Sequence, residues 1–264
     1  MGQSLLQFHI RILIKFYKTS LKKYTTALLL CATFCVIAQP ILTAQSWLVA
    51  DDNGLILEGS HTTDVRSIAS ITKLMTSMVV LDGGQALAEI IPKKLYNRKF
   101  TRQELLNLAI IKSDNNAAKM LCEYYPGGTF KCVEAMNTKA NLLQMHSSTF
   151  TDPTGLFNTN VSTAEDLIKL VMAAKNYPTI VNASNTSTIQ WQINKKKYAI
   201  FHNTNRLVGT GIDFIVSKTG WITASGGCIV MMLKGDQGIR TVVLLGSKNT
   251  KTRIPEAYMV SKLH

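Results

Sequence analysis

The 264-residue sequence predicts an α+β domain in which strands from both ends of the chain share one antiparallel sheet, flanked by helices, with a helical subdomain inserted between them. Three observations carry this. Two short apolar runs near residue 50 are split by Asp51-Asp52-Asn53-Gly54, a hairpin signal. From about residue 70 to 174 the apolar residues recur at helical spacing. From Thr188 onward the runs become short and strand-like, with Gly-rich links. Hydrophobic residues make up 46% of the chain and charged residues 17%, and no repeat, linker or low-complexity tract interrupts it. One globular domain is expected.

Element by element, Trp47–Ala50 and Leu55–Glu58 form the hairpin. The segment Ser70–Leu81 places Ile71, Leu74, Met75, Met78 and Val79 on one helical face. Segments 102–111, 115–124 and 129–142 have the same period, and Pro126-Gly127-Gly128 separates the last two. Ser162-Thr163-Ala164-Glu165 reads as a capping box opening a helix to Ala174. Strands follow at Ile189–Ile193, Tyr198–His202, Ile212–Val216, Cys228–Leu233 and Thr241–Leu245, and a final helix follows Pro255.

Residues 1–44 differ from the rest. They hold five Lys/Arg and no Asp or Glu, then an apolar run from Ala27 to Ala38, then a small residue at Ala44. This pattern is expected of a secretory signal peptide cut after Ala44, leaving 45–264 as the working domain. The apolar run is shorter than the roughly 20 residues a membrane span needs, so no stable membrane anchor is expected after cleavage. The alternative is an uncleaved amphipathic anchor. Without the five basic residues of the leader, the net charge falls from +13 to +8, which suits an anionic polymer such as cell wall. No basic stripe with interleaved aromatics marks a nucleic-acid surface. Three cysteines remain, an odd number that excludes a complete disulfide framework. Cys122 and Cys132 flank a turn and are either bridged or two buried thiols, while Cys228 lies in an apolar strand pattern. No His/Cys cluster has zinc spacing, so no metal is expected.

Three short motifs carry chemistry. Ser70 and Lys73, in S-I-T-K, lie one turn apart on one helix face, so a lysine kept neutral by burial can deprotonate the serine. Ser113-Asp114-Asn115 falls between two helices, where Ser113 can relay a proton and Asn115 can hold Lys73 and a substrate amide. Lys218-Thr219-Gly220 ends a strand-like run; Lys218 and Thr219 suit a carboxylate, and Gly220 permits close backbone approach. Each motif alone is weak: Ser20–Lys23 and Ser247–Asn249 repeat two of the patterns by chance.

Together the three motifs are the signature of penicillin-interacting serine enzymes. The chain resembles the low-molecular-mass serine penicillin-binding proteins, the D-alanyl-D-alanine carboxypeptidases and endopeptidases of bacterial cell walls. The likeness extends to R-S-I-A-S-I-T-K-L-M-T at 66–76, Y-P-G-G at 125–128, A-M-N-T-K-A at 135–140, D-P-T-G-L at 152–156, S-T-A-E-D-L at 162–167 and N-T-N at 203–205. These segments are most similar to the periplasmic endopeptidase branch. The resemblance implies the penicillin-binding transpeptidase/β-lactamase-like fold and an exported, periplasmic serine peptidase without cofactor. It implies Ser70 as nucleophile, Lys73 as base and Ser113 as proton relay. Asn115, Lys218, Thr219 and Gly220 would bind the peptidoglycan peptide, and the backbone N–H groups of Ser70 and Trp221 would form the oxyanion hole. β-Lactams are expected to acylate Ser70 and remain.

The chain departs from that pattern in places. Residues 84–101 are shorter than the endopeptidase branch usually has, and with the sequence stopping at His264 the C-terminal domain and amphipathic anchor of the carboxypeptidase branch are not expected. Arg253 lies near where that branch has an arginine for the terminal carboxylate, but its spacing reads as a solvated residue before a terminal helix. A serine β-lactamase would need a second base, and Glu165-Asp166 sits in a helix start instead. A non-catalytic wall-binding or β-lactam-sensing module would not need the nucleophile.

Overall fold

Strand β1 (Ser46–Ala50) pairs antiparallel along its whole length with the last strand of the chain, running from Ser46↔Leu245 to Ala50↔Thr241. The two ends of the domain therefore meet in one sheet, as expected. The computed structural model describes residues 42–194, 197–235 and 238–262. Its main sheet adds β2 (Ile56–Ser60), and further on β9 (Phe214–Ile222), β10 (Gly226–Gly235) and β11 (Gly238–Ser247), in the order β2-β1-β11-β10-β9. All pairings are antiparallel, and β9 is an edge strand.

Apart from the exposed edge strand β2, the sheet is largely buried on both faces, and the period-2 alternation of its strands sorts residues between two cores. Leu48, Val230, Met232, Val243 and Leu245 face the larger one, shared with the helices. Trp47, Val49, Ile229, Met231, Val242 and Leu244 face a smaller one closed by Ala257 and Val260. The helical middle comprises α1 (Thr72–Asp82), α2 (Arg102–Asn107), α3 (Asn115–Glu123), α4 (Gly128–Leu142), α5 (Ala164–Ala174) and α6 (Pro178–Ser184), with α7 (Arg253–Val260) closing the chain. Helix α1 buries every residue from Thr72 to Val80, which makes it the central helix of the larger core. Cys122 and Cys132 form a disulfide between α3 and α4, with Cα atoms 5.4 Å apart, and Cys228 is a buried free thiol.

Several boundaries differ from the sequence expectation. The cap of α5 is Thr163, which accepts from the Asp166 backbone N–H, one residue later than the Ser162 box. The final helix starts at Arg253, and Pro255 is in its first turn, where a missing N–H costs little. A hairpin of β4 (Ile90–Leu95) and β5 (Arg98–Thr101) occupies the segment left without structure. A second hairpin, β7 (Thr188–Asn194) and β8 (Lys197–His202), lies where two strands were expected. Short β3 (Arg66–Ser67) and β6 (Val161–Ser162) pair beside the start of α1.

Residues 1–41, which hold most of the expected leader, lie outside the described residues. Its last three residues are packed on the domain. Thr43 donates through its backbone N–H (2.9 Å) and hydroxyl (2.5 Å) to Glu256 Oε1, and Leu42 and Ala44 pack on the smaller core. Glu256 is buried, and its other oxygen accepts from Ser247. A chain starting at Gln45 loses both donors of Oε1, and is expected to be roughly 2 kcal/mol less stable than one starting at Leu42. Equal urea midpoints for the two chains would contradict this.

Candidate active site

Ser70 lies in a 3-10 turn, Ala69–Ile71, that leads into α1, so it precedes the α-helix proper and does not open it. Ala69 before it has a left-handed φ of 46°. Two glycines clamp this turn. A Cβ on Gly155 would lie 1.9 Å from the Ala69 carbonyl oxygen, and one on Gly220 would lie 2.8 Å from Ile68 O and 3.0 Å from Ser70 N. Only glycine at both positions lets the 152–155 loop and strand β9 press against the Ser70 backbone.

Lys73, in the first turn of α1, is fully buried. Its Nζ is 2.7 Å from Ser70 Oγ, 2.7 Å from Asn115 Oδ1 and 2.7 Å from the Thr154 carbonyl oxygen. The last two atoms can only accept. A neutral amine donates its two N–H bonds to them and turns its lone pair to the Ser70 hydroxyl. Burial drives the Lys73 ammonium down to about 7, against the opposing charges of Asp152 and Asp114. Sequence reasoning missed Thr154 as a partner, although D-P-T-G was visible. Its loop is fixed by Asp152, whose carboxylate accepts from the N–H groups of Thr154 (2.6 Å) and Gly155 (3.0 Å), and by Asn160, which donates to Asp152 O and Thr72 Oγ1.

Ser113 follows a π-helical turn, Leu108–Lys112, and has φ 60°. Lone π turns of this kind often mark functional positions. Asp114 caps α3 by accepting from Ala117 N at 2.9 Å, which sets Asn115 at the helix start beside Lys73. The Ser113 hydroxyl accepts from Lys218 Nζ at 2.8 Å. Lys218, also buried, is pushed well below the usual lysine range by burial first, then by the charges of Lys73 and Arg253. The two lysines thus compete for charge across one small site, with Ser70 and Ser113 each on one of them.

Lys218-Thr219-Gly220 lies in the middle of edge strand β9 and does not end it, a correction to the strand boundary read from sequence. The apolar pattern stops at Val216 because both faces of the next residues serve the site. Thr219 donates to Thr204 at 2.7 Å, and Asn205 donates to Ser217 at 2.8 Å, so N-T-N braces the strand from behind. Trp221 follows Gly220 with 48% of its surface exposed. Arg253 is buried and not solvated as its spacing suggested: its Nη1 donates to the Gly220 carbonyl. All eight expected residues lie on these three converging segments. Glu165 and Asp166 are engaged elsewhere, accepting from Thr62 and from Ser147 and Ser148. Among the described residues no group of His, Cys, Asp or Glu is arranged to hold a metal.

The model of the D-alanyl-D-alanine carboxypeptidase family of serine peptidases matches residues 34–93 and 87–249. The chain belongs to this family. Within it, the D-alanyl-D-alanine endopeptidase of Escherichia coli is 39% identical over 211 residues, covering 74% of this chain and 68% of that protein. The Pseudomonas aeruginosa D-alanyl-D-alanine endopeptidase is 35% identical, covering 83% and 76%. Solved structures share the fold of this chain. The Streptomyces K15 DD-transpeptidase superposes with a TM-score of 0.77 at 22% identity, over 84% of this chain and 98% of that one. Penicillin-binding protein D2 of Listeria monocytogenes, in its cefotaxime-bound form, does so with 0.74 at 25% identity, over 85% and 99%. The expected α+β fold and family are both borne out.

Proposed function

We propose that this chain is an exported serine DD-peptidase that hydrolyses the peptide bond after D-alanine in peptidoglycan, through an acyl-enzyme on Ser70. The observation that carries this reading is the buried Lys73 amine, held by two carbonyl oxygens with its remaining contact on the Ser70 hydroxyl. Neutral Lys73 takes the hydroxyl proton as Oγ attacks the D-alanyl carbonyl carbon. The oxyanion is met by the N–H groups of Ser70 and Trp221. Ser113, held by Lys218, passes the proton to the departing amine, and the C–N bond breaks. Water then attacks the ester, returns the proton to Ser70 and releases the new carboxylate.

The substrate peptide adds along the free edge of β9, with Lys218 and Thr219 on its carboxylate and Asn115 on its amide. β-Lactams enter the same cleft, acylate Ser70 and stay. Export is supported by the Cys122–Cys132 disulfide, a bond that persists in oxidising compartments. The relatives named endopeptidases favour the cross-link as the bond cut. Purified cross-linked muropeptides incubated with the enzyme and resolved by mass are expected to fall to monomers. Loss of only the terminal D-alanine from pentapeptides would make it a carboxypeptidase, and no change in either would overturn the reading.

A further inference from the structure

The β4–β5 hairpin turns at Tyr96 and Asn97, both with left-handed backbone, at φ 50° and 64°. Such turns favour Asn or Gly, and a bulky aromatic there is strained. Strain of this kind points to what the side chain reaches. The Tyr96 hydroxyl donates to Asp114 Oδ2 at 2.5 Å, in the middle of S-D-N. Asp114 is 8% exposed, and its other oxygen is committed to capping α3. Its backbone N–H is tied to Leu108 O at 3.1 Å across the π turn. The flanking residues are Ser113, on Lys218, and Asn115, on Lys73.

The Tyr96 ring is itself anchored. It packs on Phe201 at 5.2 Å between centroids, Phe201 packs on Trp191, and Trp191 packs on Phe100. The Lys112 ammonium lies over both Tyr96 and Phe201, at 5.7 and 5.4 Å. An aromatic chain thus joins the two hairpins and ends in one hydrogen bond on the residue between the relay and the lysine's partner.

We propose that Tyr96 is a positioning residue: its hydroxyl fixes Asp114 and so holds Ser113 and Asn115 where Lys218 and Lys73 need them. This rests on the serine-acylation reading above. Tyr96→Phe keeps the ring contacts and removes only the O–H. With benzylpenicillin, followed by intact mass over time, the limiting acylation rate per titratable site is expected to fall about 10-fold, with the apparent binding constant moved less than about threefold. A purely structural role would lower the thermal midpoint and the fraction of active sites but leave the rate per site unchanged. Asp114→Asn added to Tyr96→Phe is expected to be no slower than the slower single variant, because both act through one contact. A wild-type rate for Tyr96→Phe, or losses that multiply in the double variant, would overturn the proposal. A wild-type protein that is never acylated would instead overturn the underlying reading.

Discussion

Lys73→Arg is expected to lower the rate of Ser70 acylation by about a thousand-fold, close to the whole contribution of a general base. Arginine can still reach the carbonyl acceptors, but it is always protonated and has no lone pair to take the Ser70 proton. The same chemistry sets the pH dependence of the wild-type enzyme. The active form is the neutral amine, and burial brings the Lys73 ammonium down to about 7. Acylation is therefore slow below that pH, rises as pH climbs through about 7, and then levels. Stability follows the same sign. In the unfolded chain the ammonium holds its proton up to its ordinary value of 10.5, so between about 7 and 10.5 the folded state binds fewer protons and gains stability as pH rises. Rates of benzylpenicillin acylation from pH 5 to 9 check the point. A rate independent of pH across that range, or near-wild-type acylation by Lys73→Arg, would contradict the role of Lys73.

Gly155→Ala is expected to reduce acylation at least about 100-fold, although residue 155 carries no functional group. Its φ is +76°, and the new methyl would lie 1.9 Å from the Ala69 carbonyl and 2.7 Å from Thr72 Oγ1. Neither can yield without moving the turn that holds Ser70 and the loop that gives Lys73 its Thr154 acceptor. Left-handed strain and overpacking together should cost about 2–4 kcal/mol of stability. Gly84→Ala separates the two effects. Gly84 has a similar φ of +66° but nothing within 4 Å of its added Cβ. It should show the backbone strain alone, lowering the thermal midpoint slightly and leaving acylation unchanged. Equal acylation by both variants would mean that the Gly155 contact does not position Ser70.

The sequence reading reached furthest where chemistry restricts residue type. A serine made nucleophilic by lysine requires Ser70 and Lys73 one turn apart, and that spacing is visible in any helical segment. The shared sheet was legible too, because Trp47–Ala50 in β1, Cys228–Leu233 in β10 and Val242–Leu245 in β11 are unbroken apolar runs. Less was legible where a residue acts through its backbone or across the tertiary fold. Thr154 contributes a carbonyl, which any residue has. Arg253 reads as a surface cation because nothing local shows the Gly220 carbonyl waiting beneath β9. The β4–β5 hairpin is polar, Lys93-Lys94-Leu95-Tyr96-Asn97-Arg98-Lys99, with no alternation to mark it. It is held by tertiary partners instead: Arg98 over Phe100, Arg98 to Glu104, and Lys93 to Glu123. The end of β9 was placed too early for a related reason, since Ser217, Lys218 and Thr219 are polar residues buried inside the strand.

The central claim is that Ser70 is an acylating nucleophile whose ester is long-lived with β-lactams. Intact mass of the purified protein with and without benzylpenicillin, beside Ser70→Ala, tests it most directly. The expected result is a persistent gain of the drug's mass on the wild type and none on the variant. An unmodified wild-type mass with intact drug would contradict the mechanism, and an unmodified mass with fully hydrolysed drug would make the enzyme a β-lactamase.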